Sequence, residues 1–205
     1  MNLRRFAARQ TVLGCTMLML AGCATILPPS EGSPSESVWR LRQQRLSQIS
    51  NWLLQGRVGI ETATESGSAA LRWEQKGEQY SMRIMAPLSQ GTFELTGSDE
   101  GVRLRSPDNQ ILSARDPEAL MSRQLGWSLP VSGLRYWVLG IPSPLRPIEH
   151  IRVDENGRML DLQQDGWRIS IQRYGTVAGE ELPDKIFMEN SPLKVRMVIG
   201  EWQLR

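Results

Sequence analysis

Leu71-Arg72-Trp73-Glu74-Gln75-Lys76-Gly77-Glu78-Gln79-Tyr80-Ser81-Met82-Arg83-Ile84 is the stretch that decides the fold. Leu71 and Trp73 alternate with Arg72 and Glu74; beyond a Lys76-Gly77 turn, Tyr80, Met82 and Ile84 alternate with Ser81 and Arg83. Strand side chains point to opposite faces in turn, so this reads as two short strands sharing one apolar face. The pattern extends in both directions. Arg57-Val58-Gly59-Ile60-Glu61 precedes it. Phe93 and Leu95 alternate with Thr92, Glu94 and Thr96, then Val102 and Leu104 with Arg103 and Arg105. Glu65-Ser66-Gly67, Asp99-Glu100-Gly101 and Pro107-Asp108-Asn109 supply turns between them. The same period returns in Glu149 to Asp154, Met159 to Leu162, Trp167 to Gln172, Lys185 to Glu189 and Leu193 to Ile199. The chain is therefore expected to be mainly β, an antiparallel meander of about ten or eleven strands with one apolar face.

Three helical pieces interrupt the strands. From Ser35 to about Asn51, Trp39, Leu46, Ile49 and Leu53 recur at helical spacing among the polar Arg40, Arg42, Gln43, Gln44 and Gln48. Asp116 can cap a helix from Pro117 to Leu125, stopped by Gly126. Ser132 can cap another through Leu139, stopped by Gly140 and Pro142. A long one-sided sheet must bury its apolar face by curling or by accepting helices. A curled sheet under thin helical cover leaves an apolar hollow suited to an acyl chain.

The first residues carry an address. Arg4, Arg5 and Arg9 precede an apolar run from Val12 to Ala21, and Leu20-Ala21-Gly22-Cys23 has the form of a lipobox. A basic start, a short apolar run and small residues at the cut make an export signal. The run is about half the ~20 residues needed to span a bilayer. Residues 1–22 are thus expected to be removed and Cys23 acylated; the competing reading is an ordinary cleaved signal with an incidental cysteine. Ala24, where Asp would mark inner-membrane retention, favours an outer membrane. Residues 23–37, with Pro28, Pro29, Gly32 and Pro34 among serines, form the lipidated start and a linker, and residues 38–205 one domain. A flexible linker of that length spans about 20 Å.

Composition excludes several functions. The leader removes three arginines and no acid, so the formal charge of +2 falls to about −1. A near-neutral chain with interspersed charges argues against nucleic-acid binding. Its one mature cysteine is the acylated Cys23, which leaves no disulfide and no cysteine metal site. There is one histidine, His150, and no Gly-x-Ser-x-Gly, Walker A or Gly-x-Gly-x-x-Gly sequence. No catalytic residue is proposed, and no cofactor beyond the covalent N-acyl and S-diacylglycerol groups of Cys23. Without a nucleotide site, a directional task must run downhill on differences in affinity.

One loop is chemically out of place. In Met85-Ala86-Pro87-Leu88-Ser89-Gln90-Gly91, Pro87 and Gly91 break strand pairing, yet Met85 and Leu88 are apolar. Leu88 either folds back on the core or stands out as an apolar tip.

Several motifs in order now carry a resemblance. They are Trp52-x-Leu54-x-Gly56-Arg57-Val58-Gly59, Arg72-Trp73, Ala86-Pro87-Leu88-Ser89-Gln90-Gly91-Thr92-Phe93-Glu94-Leu95, Leu134 to Pro142, Gly166-Trp167, Tyr174 and Leu182-Pro183. With the lipobox, they resemble the LolB family of outer-membrane lipoprotein receptors. The resemblance implies an incomplete, unclosed β-barrel with a helical lid over an apolar cavity. It implies a monomeric receptor that takes acylated client lipoproteins from a periplasmic, LolA-like carrier of similar fold and delivers them to outer-membrane lipid. It also places the membrane-inserting leucine of the family at Leu88, next to Pro87. The family's loop commonly reads Asn-Pro-Leu-Gly, and this chain has Ala86-Pro87-Leu88-Ser89. By alternation, the acyl-chain cavity would be lined by Leu71, Trp73, Met82, Ile84, Phe93, Leu95 and Ile169. Two other classes stay open: a lipid-anchored structural subunit of an outer-membrane assembly complex, which would use the sheet edge, and a tethered hydrolase, which would need converging carboxylates.

Overall fold

The computed structural model describes residues 34–85, 91–125 and 128–205. Cys23, Pro87, Leu88 and the expected helix stop at Gly126 lie outside them. Among the described residues the chain is one antiparallel sheet of eleven strands with three helices. Helix α1 (Pro34–Ser47) leads into β1 (Asn51–Glu61), β2 (Ser66–Lys76), β3 (Gln79–Met85), β4 (Thr92–Ser98), β5 (Gly101–Arg105) and β6 (Ile111–Ala114). Helices α2 (Pro117–Leu125) and α3 (Val131–Trp137) follow, then β7 (Ile148–Val153), β8 (Met159–Gln164), β9 (Trp167–Val177), β10 (Glu180–Asn190) and β11 (Leu193–Leu204).

The strand order is β6-β5-β4-β3-β2-β1-β11-β10-β9-β8-β7. The chain begins in the middle of the sheet, meanders to the β6 edge, crosses to the β7 edge and meanders back to pair β11 with β1. β6 and β7 do not pair with each other, so the barrel is unclosed. The crossover carries α2 and α3. That segment joins opposite edges of the sheet, and its Leu120, Met121, Leu134 and Trp137 belong to the buried core, so it lies over the apolar face as a lid.

Period-two alternation placed most of the strands, and local chemistry explains where the rest differ. The first helix stops at Ser47, short of the expected Asn51. Gln48 N–H and Ile49 N–H bond the carbonyls of Arg45 and Leu46, tightening the last turn, and Leu53 belongs to β1. A continuous run such as Trp52-Leu53-Leu54 cannot be assigned by period alone. Arg42, expected on the polar face, is 4% exposed. β2 begins at Ser66, earlier than alternation shows, since the small residues Ser66 to Ala70 carry no hydropathy signal and Glu65-Ser66-Gly67 reads as a turn. β6 is a four-residue edge strand, too short to show alternation. β10 runs through Pro183, where the register with β9 shifts to accommodate a residue that cannot donate. The hairpin between β9 and β10 turns on Ala178 (φ 49°) and Gly179 (φ 86°), both positive as a tight two-residue turn requires.

Asp116 caps α2 as expected, its Oδ1 accepting from the N–H groups of Glu118 (2.9 Å) and Ala119 (3.2 Å). Ser132 does not cap α3. The cap is two residues earlier, at Pro130, with no side-chain cap bond, and the helix ends at Trp137, two residues short of the expected Leu139. The Ser132 hydroxyl donates instead to Glu118 Oε1 (3.3 Å), tying α3 to α2.

Candidate functional site

The register shows which predicted lining residues come together. Leu71 pairs with Ile84 and Trp73 with Met82; Met82 then pairs with Leu95, and Ile84 with Phe93. These six make one patch across β2, β3 and β4. Ile169 lies on the other wing, paired with Leu162 and Met188. All seven face the side covered by the helices. Leu71, Trp73, Met82, Leu95 and Ile169 are buried, whereas Ile84 and Phe93 are half-buried against the core. Burial fades along the patch from Met82 to Ile84 on β3 and from Leu95 to Phe93 on β4; Met85, next along β3, points to the opposite face and is 39% exposed. Pro87 and Leu88, outside the described residues, follow β3 in sequence at that end of the sheet.

The covering elements are seated closely on this face. Trp52 lies edge-on to Trp73 (centroids 4.9 Å apart) and to Trp202 (5.4 Å). Trp137 of α3 meets Trp167 at 6.2 Å. Trp137, Ile141, Met159, Leu162, Ile169, Leu182 and Ile186 are each less than 2% exposed. A hollow of about 120 Å³ lies between the end of α1, Tyr136 and Leu139, and Trp52. Ligand pockets run to roughly 300–1,000 Å³, so this hollow alone cannot take an acyl chain. A chain entering along the patch would have to displace the lid.

Two buried glutamines are invisible to hydropathy, and one of them organises the cover. Gln164 at the end of β8 is 0% exposed. Its Oε1 accepts from Trp137 Nε1 (2.9 Å) and Ser143 N–H (2.9 Å), and its Nε2 donates to the carbonyls of Ser143 (2.9 Å) and Arg146 (2.8 Å). Every polar position of the amide is satisfied, so the lid's exit is pinned to the sheet at no desolvation loss. Gln75 accepts from Trp73 Nε1 (3.1 Å) and donates to Gly77 carbonyl (2.8 Å).

Charge holds the other contacts. Arg42 of α1 donates to the Glu181 carbonyl, and its guanidinium lies 5.6 Å from the Tyr174 ring centroid; Arg158 stands at the same distance. Tyr174 donates to the Met159 carbonyl (2.6 Å), and burial pushes its hydroxyl pKa up. Tyr80 is raised chiefly by burial and secondarily by the nearby Glu118 charge. Burial and the hydrogen bond to Asp116 raise Glu118, while that same bond lowers Asp116. His150 lies on the exposed start of β7. Among the described residues, no three His, Cys, Asp or Glu side chains are grouped to hold a metal, and no helix is long and apolar enough to cross a membrane.

Comparison with known proteins agrees with this architecture. Residues 50–202 match the family model described as outer membrane lipoprotein LolB. The outer-membrane lipoprotein LolB of Nitrosococcus oceani is 40% identical over 196 residues, covering 96% of this chain and 98% of that one. That of Pseudomonas aeruginosa is 36% identical over 207 residues, covering 100% and 98%. Among solved structures, a LolA superfamily protein from Nitrosomonas europaea has a TM-score of 0.53 at 9% identity, covering 83% of this chain and 93% of its own. A putative outer membrane lipoprotein-sorting protein domain from Vibrio parahaemolyticus gives 0.52 at 10% identity, with the same coverage. At such identities the likeness is one of fold.

Proposed function

This chain belongs to the outer membrane lipoprotein LolB family, and we propose that it is an outer-membrane receptor, anchored through acylated Cys23, that accepts lipoproteins from a soluble periplasmic carrier of similar fold and passes them into the bilayer. The observation that carries the reading is the pairing of a continuous apolar patch with a lid, carried on the edge-to-edge crossover, whose own apolar side chains cover it. Such a face can exchange the lid's side chains for a client's acyl chains without exposing either to water. Stripping a whole 16-carbon chain into water would cost on the order of 10 kcal/mol, so handover must proceed mouth to mouth.

Ile84 and Phe93, half-buried beside Met85, stand where an entering chain first meets the patch. Leu88, in the loop that follows, touches the bilayer and eases the chains out of the site into lipid. The steps need no nucleotide; they run down a ladder of affinities from carrier to receptor to membrane.

Photocrosslinking tests the reading. A photoreactive residue at Phe93 should capture the acyl chains of a client lipoprotein during transfer, while one at the exposed Arg152 should not. Capture of protein neighbours from the sheet edge, with none from Phe93, would favour the structural-subunit alternative.

A further inference from the structure

Gly56 and Gly59 lie three residues apart on β1 and are glycine for different reasons. A Cβ at Gly56 would come within 2.2 Å of the Val198 carbonyl oxygen, so packing demands glycine there. A Cβ at Gly59 would meet nothing closer than 3.9 Å, and no left-handed backbone requires glycine. The missing side chain leaves the floor of an open groove of about 700 Å³.

The groove lies on the outer face of the sheet, away from the lid. One row of paired residues crosses it: Ser170, Phe187, Arg196, Gly59 and Ser68. The next row holds Arg168, Glu189, Lys194, Glu61 and Ser66. Arg168 pairs with Glu189 (2.6 Å) and Lys194 with Glu61 (3.0 Å). Arg196 has no carboxylate partner among the described residues; its guanidinium lies 5.8 Å from the ring of Phe187, itself 38% exposed. Lys185 lies 5.5 Å from the same ring, and Arg57 donates to Ser68 Oγ (3.3 Å). Neither has a carboxylate partner among the described residues. The groove and its border therefore carry an excess of positive charge around an exposed aromatic wall.

Every strand under the groove is interior to the sheet, so its backbone groups are already paired and no peptide strand can add to it. What remains available are guanidinium and hydroxyl donors, which suit phosphate oxygens. The volume suits a small headgroup. The groove runs on into a second hollow of about 890 Å³ that shares Glu61, Arg168, Glu189 and Lys194 and reaches Thr62 and Ser191. Those loops lie at the same end of the sheet as Met85.

We propose that this outer groove seats the phosphate of an anionic membrane lipid headgroup, with Arg196 as its principal donor and Ser68 and Ser170 beside it. The site is separate from the acyl-chain patch and does not rest on lipoprotein transfer; it requires only that the body sit at a bilayer. It would orient the body against lipid as it works.

The test uses the full acylated chain with p-benzoylphenylalanine at Ser66, in phosphatidylcholine vesicles with and without phosphatidylglycerol. A lipid adduct should form with phosphatidylglycerol present. It should fall by about tenfold or more in both Gly59→Leu, which fills the floor, and Arg196→Gln, which removes the charge of an exposed side chain. An adduct that is equal in the two vesicle types, that survives both substitutions, or that joins protein and not lipid would overturn the proposal. Lipoprotein transfer by the Arg196→Gln chain should continue, and a failure of transfer by the parent chain would bear on the transfer reading alone.

Discussion

Trp137 Nε1 donates to Gln164 Oε1 at 2.9 Å across 27 residues of sequence, joining the last turn of the lid to the sheet it covers. The same amide holds Ser143 and Arg146, so one side chain fixes where the crossover ends and β7 begins. Gln164→Leu keeps the volume and removes all four bonds. It leaves the Trp137 and Ser143 donors buried without partners, at about 1–3 kcal/mol for each orphaned group. We expect urea denaturation to show a loss of about 3 kcal/mol. A loss well under 1 kcal/mol would mean the lid is held elsewhere.

The two glycines of β1 give a matched pair. Gly56→Ala drives a methyl into the Val198 carbonyl at the β1–β11 register shift and should cost several kcal/mol or prevent folding. Gly59→Ala meets open space and should be neutral or slightly stabilising, since alanine loses less chain entropy on folding. Thermal melts of the two variants should separate widely; equal melts would contradict the register drawn between these strands.

Acidity in the lid has a definite sign. Glu118 is raised in the fold by burial and by its hydrogen bond to Asp116. A raised carboxyl contributes stability that is full below its ordinary value of about 4.3 and is lost as pH rises through the higher folded value. Glu118→Gln removes the half-buried charge and keeps an acceptor for Ser132. Its melting temperature should exceed the parent's at neutral pH, and the gap should close in acid. A gap constant with pH would show that the carboxyl is not titrating in this window.

Alternation made the apolar face legible because long side chains such as Trp73, Met82 and Ile169 mark it plainly. It fell silent wherever side chains are small or polar. The first half of β2, with Ser66, Gly67 and Ser68, has no pattern to read, and the groove over Gly59 is built from that silence. Arg42 and Gln164 look like surface residues in sequence. Their burial depends on partners 139 and 21 residues away, which period cannot anticipate. That the α2–α3 segment joins the two sheet edges depends on strand order, which emerges only once the sheet is assembled.

Leu88→Glu separates binding from delivery. A charged tip should leave acyl-chain capture at Phe93 intact but block passage of lipoprotein into liposomes, because a carboxylate at the bilayer surface resists burial in hydrocarbon. Insertion at the parent's rate would remove Leu88 from the account.

The most direct test of the central claim is transfer from the carrier. Residues 24–205, made without Cys23, would be mixed with a LolA-like carrier loaded with an acylated lipoprotein, and the complexes separated by affinity capture. The account predicts that the client moves to this chain without nucleotide. A client that stays wholly on its carrier would contradict it.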